Sequence, residues 1–336
     1  VLVVDDSAFA RKVVREVLSA AGMDVVGIAR DGLEALEKIA ELKPDVLTLD
    51  LLMPNLDGLG LLAALPALGA PRVVVVSMAG EASALGIAAL HAGALGIVKK
   101  PTALATDRLY DLSAELIAAV TTAAQASSPR PLGELPPAPR PLEPLLARSK
   151  SLLVIGASTG GPQALTRLIH ALPASFPIPI ALVLHLPVGY TRSFAERLNG
   201  ESALEVLEAA PGMELEPGRV LVARAGVHLR IVRHEGGLRA ALDPLPSDTP
   251  HRPAVDVLFE SAAHAAGAGA LGVVLTGMGD DGTRGSRAIH AAGGHLLTES
   301  ASSCVVYGMP RCVDEAGLSS GSARIESMAA EILLRL

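Results

Sequence analysis

The residues able to do chemistry in this chain stand at the ends of apolar runs. Ser158 follows "LLVIGA", His185 follows "IPIALVL", and Asp280 and Asp281 follow "ALGVVLTGMG". If those runs are parallel neighbouring strands, hydroxyl, imidazole and carboxylate converge on one sheet edge. A serine nucleophile needs that arrangement: a base within hydrogen-bond reach, and a carboxylate to fix the tautomer of the base. Gly156 to Gly160 also reads G-x-S-x-G, a strand-to-helix turn that exposes a nucleophile. The same glycines, through Gly161, could instead cradle a dinucleotide phosphate at a helix N-terminus. Against that use, the next strand ends in His185 and not in an acid that could hold a ribose. Among the nine histidines, His251, just before Arg252-Pro253 at a helix start, competes with His185 for the role of base. His91, His170, His264 and His290 lie in helical patterns and read as structural, while His228, His234 and His295 are unassigned. An α/β-hydrolase order of Ser, acid, His would pair Ser158 with His290 or His295, and neither follows an apolar strand on the right edge.

A second set of polar residues ends the apolar runs nearer the start. Asp5 and Asp6 end the first run, Asp50 the third, Ser77 the fourth, and Lys99-Lys100-Pro101 the fifth. Carboxylates so placed repel one another, and a hard cation such as Mg²⁺ relieves the repulsion. A hydroxyl and an ammonium beside them suit an incoming phosphoryl group. Taken singly, Asp6 or Ser7 could be a helix cap and Asp50 a turn residue; together on one edge they make a site.

These residues require strands with helices between them. Residues 1–120 alternate the runs "VLVVDD", "MDVVGIA", "DVLTLD", "RVVVVS" and "ALGIV" with helical patterns, which predicts an α/β, doubly wound, five-stranded parallel sheet. The runs are apolar throughout, as strands covered on both faces must be. Residues 121–150 are rich in Pro, Ala and Ser and read as a semi-rigid linker. Residues 151–336 alternate again and predict a second doubly wound α/β domain, with an antiparallel addition between Val220 and Leu242.

Composition sets limits. The chain has 336 residues, half of them apolar and only 2% aromatic, so two cores must be built from Ala, Val, Leu and Ile. A net charge of −7 argues against a nucleic-acid partner, and residues 151–336 are too long and insufficiently basic for a helix-turn-helix output. Two cysteines without metal-like spacing fit a reducing cytoplasm. Apolar runs are strand-sized, so neither a signal peptide nor a membrane span is expected. The chain enters a strand directly at Val1, and a few residues including the initiator Met are expected to precede it.

"VLVVDDS", "LTLDLLMPNLDG", "VVVVS" and "KKP" resemble the receiver domain of two-component response regulators. The resemblance implies phosphorylation of Asp50 by a chemotaxis-type histidine kinase. It implies Mg²⁺ held by Asp5, Asp6, Asp50 and the Leu52 carbonyl, with Ser77 and Lys100 on the phosphoryl oxygens. Leu52 stands where receivers usually carry a polar residue, and Ile97 where they often carry an aromatic one. "IGASTGG", "HLP", "GYTRSFAERLN", "HRPAVDVLF", "GVVLTGMGDDG" and "SCVVYGMPR" resemble the methylesterase domain of the chemotaxis response-regulator protein-glutamate methylesterases, the CheB family. That resemblance implies Ser158 as nucleophile, His185 as base and then acid, and Asp281, not Asp280, as the orienting carboxylate. It implies main-chain N–H groups near Thr159 and Met278 for the oxyanion, no cofactor in this domain, and hydrolysis of glutamyl methyl esters and glutamine amides on chemoreceptors. Leu184 and Leu186 flank the histidine where Gln and Met are usual. "ARAGVH" lacks a usual Pro, and Ala301 replaces an acidic residue.

Overall fold

The computed structural model describes residues 1–65, 70–77, 83–100, 106–127 and 150–336, with 106–112 through their backbone only. The chain divides into two compact units, Val1–Gly133 and Glu134–Leu336. Most of the linker expected at 121–150, and Pro101, lie outside the described residues.

The first unit is built from β1 (Leu2–Val4), α1 (Ala8–Ala20), β2 (Gly27–Ala29), α2 (Gly32–Leu42), β3 (Val46–Leu49), α3 (Gly58–Ala64), β4 (Arg72–Ser77), α4 (Ser83–His91), β5 (Gly96–Lys99) and α5 (Thr106–Gln125). Its sheet runs β2-β1-β3-β4-β5, parallel throughout. α5 continues to Gln125, so residues 121–125, which composition assigns to the linker, are helical. Ala-rich sequence there favours helix over loop.

The second unit contains β6 (Leu152–Ala157), α6 (Gly161–His170), β7 (Ile180–Leu184), α7 (Thr191–Glu201), β8 (Glu205–Glu208), β9 (Arg219–Val222), β10 (His228–His234), β11 (Gly237–Asp243), α8 (Val255–Ala266), β12 (Ala270–Val274), α9 (Thr283–Ala291), β13 (His295–Glu299), α10 (Met309–Glu315), β14 (Ser322–Ala323) and α11 (Ile325–Leu333). Seven strands form a parallel sheet in the order β14-β13-β12-β6-β7-β9-β8. The antiparallel addition is the β10–β11 hairpin alone, because β9 joins the parallel sheet. Every residue of β6, β7 and β12 is buried, which explains their unbroken apolar sequence.

Both sheets reverse direction at one point. In the first unit the chain leaves β1 for β2 on one side and later returns to place β3 on the other. In the second, β7 is added on one side of β6 and β12 on the other. The strand ends at such a reversal open into a crevice, where open α/β sheets bind ligands.

One glycine shows how closely the second unit is packed there. A Cβ on Gly156 would collide with the Val255 side chain, so α8 begins directly against β6. Gly156→Ala is expected to lower the stability of this unit by about 1–3 kcal/mol through overpacking. An unchanged urea-unfolding midpoint would show that Val255 moves aside freely.

Candidate functional site

The crevice of the first unit holds the carboxylates. Asp5 and Asp50 are buried at the ends of β1 and β3, and Asp6 is exposed beside them. Ser7, not Asp6, caps α1, accepting from the Ala10 N–H. That leaves Asp6 available to the cluster. One oxygen or more from each of Asp5, Asp6 and Asp50 lies within 4.8 Å of the others, an all-oxygen set that fits Mg²⁺. The Lys100 ammonium is shared between Asp5 Oδ2 at 2.6 Å and Asp50 Oδ2 at 2.7 Å. Burial opposes its charge, yet hydrogen bonds to the two carboxylates hold Lys100 above its ordinary value. Burial raises Asp5 despite the lysine. Ser77 is buried at the end of β4, and its carbonyl accepts from the Lys100 N–H at 2.8 Å. Leu52 exposes its side chain two residues past Asp50.

The crevice of the second unit is lined by the residues that follow β6, β7 and β12; His185 and Asp281 are hydrogen-bonded there, while the Ser158 hydroxyl makes no hydrogen bond to His185. Ser158 is half-buried on the turn between β6 and α6. Its N–H donates to the Thr276 carbonyl at 3.0 Å and its carbonyl accepts from Gly161 N–H at 2.7 Å. Gly160 enters α6 at φ 77°, a left-handed conformation that suits glycine. Thr159 stands next, its carbonyl accepting from Thr276 Oγ1 at 2.9 Å. On the opposite lip, a Cβ on Gly277 would come 2.8 Å from Ser158 Cβ, so the segment leading to the exposed Met278 runs against the Ser158 turn.

His185 Nε2 meets Asp281 Oδ2 at 2.8 Å. His185 Nδ1 is buried and makes no hydrogen bond among the described residues. Asp281 accepts three hydrogen bonds: the His185 N–H, Val255 N–H on Oδ2 at 2.8 Å and Asp256 N–H on Oδ1 at 2.9 Å. The last two are orphan donors of the first turn of α8, whose own N-cap, Ala254, has no side-chain acceptor. Burial works against ionising Asp281. The hydrogen bonds from His185 and the two backbone donors outweigh it and hold the carboxyl below its ordinary value. An ionised Asp281 accepting Nε2–H leaves the lone pair of the neutral imidazole on Nδ1. Asp280 is exposed, so geometry separates the two aspartates that sequence pattern alone could not. His251 stacks its ring on His185, with centroids 4.0 Å apart, and makes no contact with Asp281 of the kind His185 makes. Burial of the contacting face, and then the neighbouring His185, lower its tendency to take a proton.

Three supporting residues carried no signal as site residues. Asp256 Oδ1 accepts Gly282 N–H at 2.9 Å and Gly285 N–H at 2.8 Å, capping α9 from α8 while Asp281 caps α8 in return. Glu299, 1% exposed, accepts Thr276 N–H at 2.9 Å and braces the strand end behind Ser158; burial raises its carboxyl. Thr276 joins that brace to the nucleophile turn. Each makes its contacts across many residues of sequence, so only the folded sheet reveals them.

Residues 1–111 match the response regulator receiver domain, and residues 153–332 match the CheB methylesterase. The chain is similar to protein-glutamate methylesterase/protein-glutamine glutaminase 5 of Myxococcus xanthus strain DK1622, 62% identical over 334 residues, spanning 98% of this chain and 96% of that protein. A Thermotoga maritima protein-glutamate methylesterase/protein-glutamine glutaminase is 41% identical over 319 residues, spanning 94% of this chain and 92% of that one. The crystal structure of the Thermotoga maritima CheB methylesterase catalytic domain matches with a TM-score of 0.55 and 38% identity, covering 56% of this chain and 100% of that one. The chain therefore belongs to the CheB family, the protein-glutamate methylesterase/protein-glutamine glutaminases, here with a response-regulator receiver domain ahead of the hydrolase.

Proposed function

We propose that Ser158, His185 and Asp281 form the triad that hydrolyses glutamyl γ-methyl esters, and glutamine side-chain amides, on the cytoplasmic helices of chemoreceptors in chemotaxis adaptation. The observation that carries this reading is the His185 ring: one nitrogen bound to Asp281 at 2.8 Å and the other buried with no hydrogen bond among the described residues. Ser158 Oγ attacks the ester carbonyl and its proton passes to His185 Nδ1. The carbonyl oxygen becomes an oxyanion, and main-chain N–H groups of Thr159 and Met278 receive it, each contributing roughly 10²–10³-fold. The start of α6 adds a favourable dipole. On collapse the bond between the acyl carbon and the methoxy oxygen breaks and the imidazolium gives its proton to that oxygen, releasing methanol. Water then gives a proton to His185 and attacks the glutamyl-serine ester, yielding the glutamate carboxylate and free Ser158. With a glutamine amide the first leaving group is ammonia.

Control comes from the receiver. Asp50 accepts a phosphoryl group from a chemotaxis-type histidine kinase, with Ser77 and Lys100 on its oxygens. Asp5, Asp6, Asp50 and the Leu52 carbonyl would hold Mg²⁺, which supplies positive charge for the phosphoryl group. The receiver restrains the hydrolase, and the added charge at Asp50 shifts the equilibrium toward release. Methanol release from a methylated receptor fragment, measured with and without a small-molecule phosphodonor, tests this. The parent enzyme is expected to be stimulated, while Asp50→Asn keeps only basal turnover and takes up no phosphoryl group by mass. Equal stimulation of both would place control elsewhere.

A further inference from the structure

His228 opens β10 with no exposed surface, and both ring nitrogens are engaged. Nδ1 accepts the Ala254 N–H at 3.1 Å, and Nε2 faces the Pro246 carbonyl at 3.0 Å. A carbonyl only accepts and a backbone N–H only donates, so the ring must be neutral with its proton on Nε2. The two bonds tie together both ends of the segment 246–254. Gly226 N–H, just before β10, adds a bond to the Arg252 carbonyl at 2.9 Å.

That segment meets the catalytic histidine by two routes. His251 lies on it, stacked on the His185 ring. Its last residue, Ala254, leads into α8, and the next two N–H groups, of Val255 and Asp256, hold Asp281. Three successive N–H groups at this helix start are thus satisfied from outside the helix, the first by His228 and the others by the carboxylate that orients His185.

Resting on the triad reading above, we propose that His228 is a positioning residue of the esterase site, holding segment 246–254 in place in its Nε2–H form and releasing it when a proton reaches Nδ1. A protonated Nδ1 would face the Ala254 N–H donor to donor. Breaking that contact frees the start of α8 and the His251 ring together. Burial first, then Arg252 on the segment and Arg230 on β10, lower the ring's proton affinity, while the Pro246 carbonyl and Asp243 on β11 oppose them. A histidine depressed in the fold contributes its full stability above its ordinary value of 6.5 and loses it as pH falls through that value toward the folded one. The segment therefore holds at neutral pH and opens in acid.

The full-length protein, assayed for methanol release from a methylated receptor fragment, provides the test. His228→Leu removes the bonds to Pro246 and Ala254 and the 3.3 Å contact of Nε2 with Thr249 Oγ1, and is expected to lower kcat about 10–100-fold with little change in KM, because the groups that orient the base shift while the substrate surface stays. His228→Asn keeps an acceptor at the δ position and cannot titrate, so it should recover most of kcat. In the parent enzyme the acid limb of kcat/KM should carry an extra one-proton dependence from His228. In His228→Asn that extra dependence should be missing, leaving a shallower limb. Unchanged kcat in His228→Leu, an effect on KM alone, or an acid limb in His228→Asn that overlies the parent's would each overturn the proposal. If His228→Leu does not fold, the His228→Asn profile decides. Ser158→Ala in the same assay keeps the two readings apart: turnover surviving there overturns the triad, whereas the His228 results bear only on positioning.

Discussion

Ser158→Ala is expected to remove methanol release almost completely, a fall of about 10⁴–10⁶-fold in kcat. The fold should not change with it. The turn around Ser158 is held through its main chain, by the bonds to Thr276 and Gly161, and neither uses the hydroxyl. The loss would therefore be chemical. The residue of activity should reflect what oxyanion donors and substrate binding achieve without a nucleophile. Thermal unfolding of the variant at the parent's midpoint, with turnover lost, is the expected pair of results. Substantial turnover from a folded Ser158→Ala would move the nucleophile to another side chain.

Asp281→Asn is expected to cost about 10³–10⁴-fold in kcat, since the amide no longer fixes the Nε2–H tautomer or stabilises the imidazolium. Unlike Ser158→Ala it should also cost stability. Three donors converge on the two oxygens of Asp281, and an amide offers only one oxygen to them. At least one buried donor is left opposite another donor, a loss of about 1–3 kcal/mol. Because the folded carboxyl lies below its ordinary value of 3.8, its contribution is complete above that value and disappears as pH falls through the folded one. The stability gap between parent and Asp281→Asn should thus be flat near neutrality and close only in strong acid. A gap that closes between pH 6 and 7 would attribute it to a histidine instead, whose ordinary value is about 6.5.

The parallel strands were legible because fully buried strands can only be apolar runs, and the residues that end them stand out as polar. Asp5, Asp50, Ser158 and His185 were visible for that reason. Two strands were not. β8 has a mixed burial pattern with an exposed Glu205, and β14 is two residues long, so neither leaves an apolar run. β9 was grouped with the hairpin because an apolar run does not say which neighbour it pairs with. The site was legible to its first contacts and no further. Asp281 was separated from Asp280 by family resemblance; in the fold the difference is that one is exposed and the other receives the start of α8. His251 was weighed as the base since it precedes a helix start, and its actual place on the face of His185 depends on a segment with no regular structure. His228 and Glu299 look like ordinary strand-end residues until the segments they brace are folded against them.

The reversal of direction at β6 also governs when the enzyme can exist. β6 and β7 are made early in the second unit, carrying Ser158 and His185, but the strand that completes the other side of β6 is β12, and Asp281 follows it. A growing chain on the ribosome thus carries Ser158 and His185 on a half-built sheet, with one flank of β6 open, until β12 is made. During that time it has no carboxylate to make a triad, and its unpaired flank is open to wrong partners. Asp281 reaches His185 only after β12 covers the open flank of β6, and the new outer edge of β12 then waits for β13.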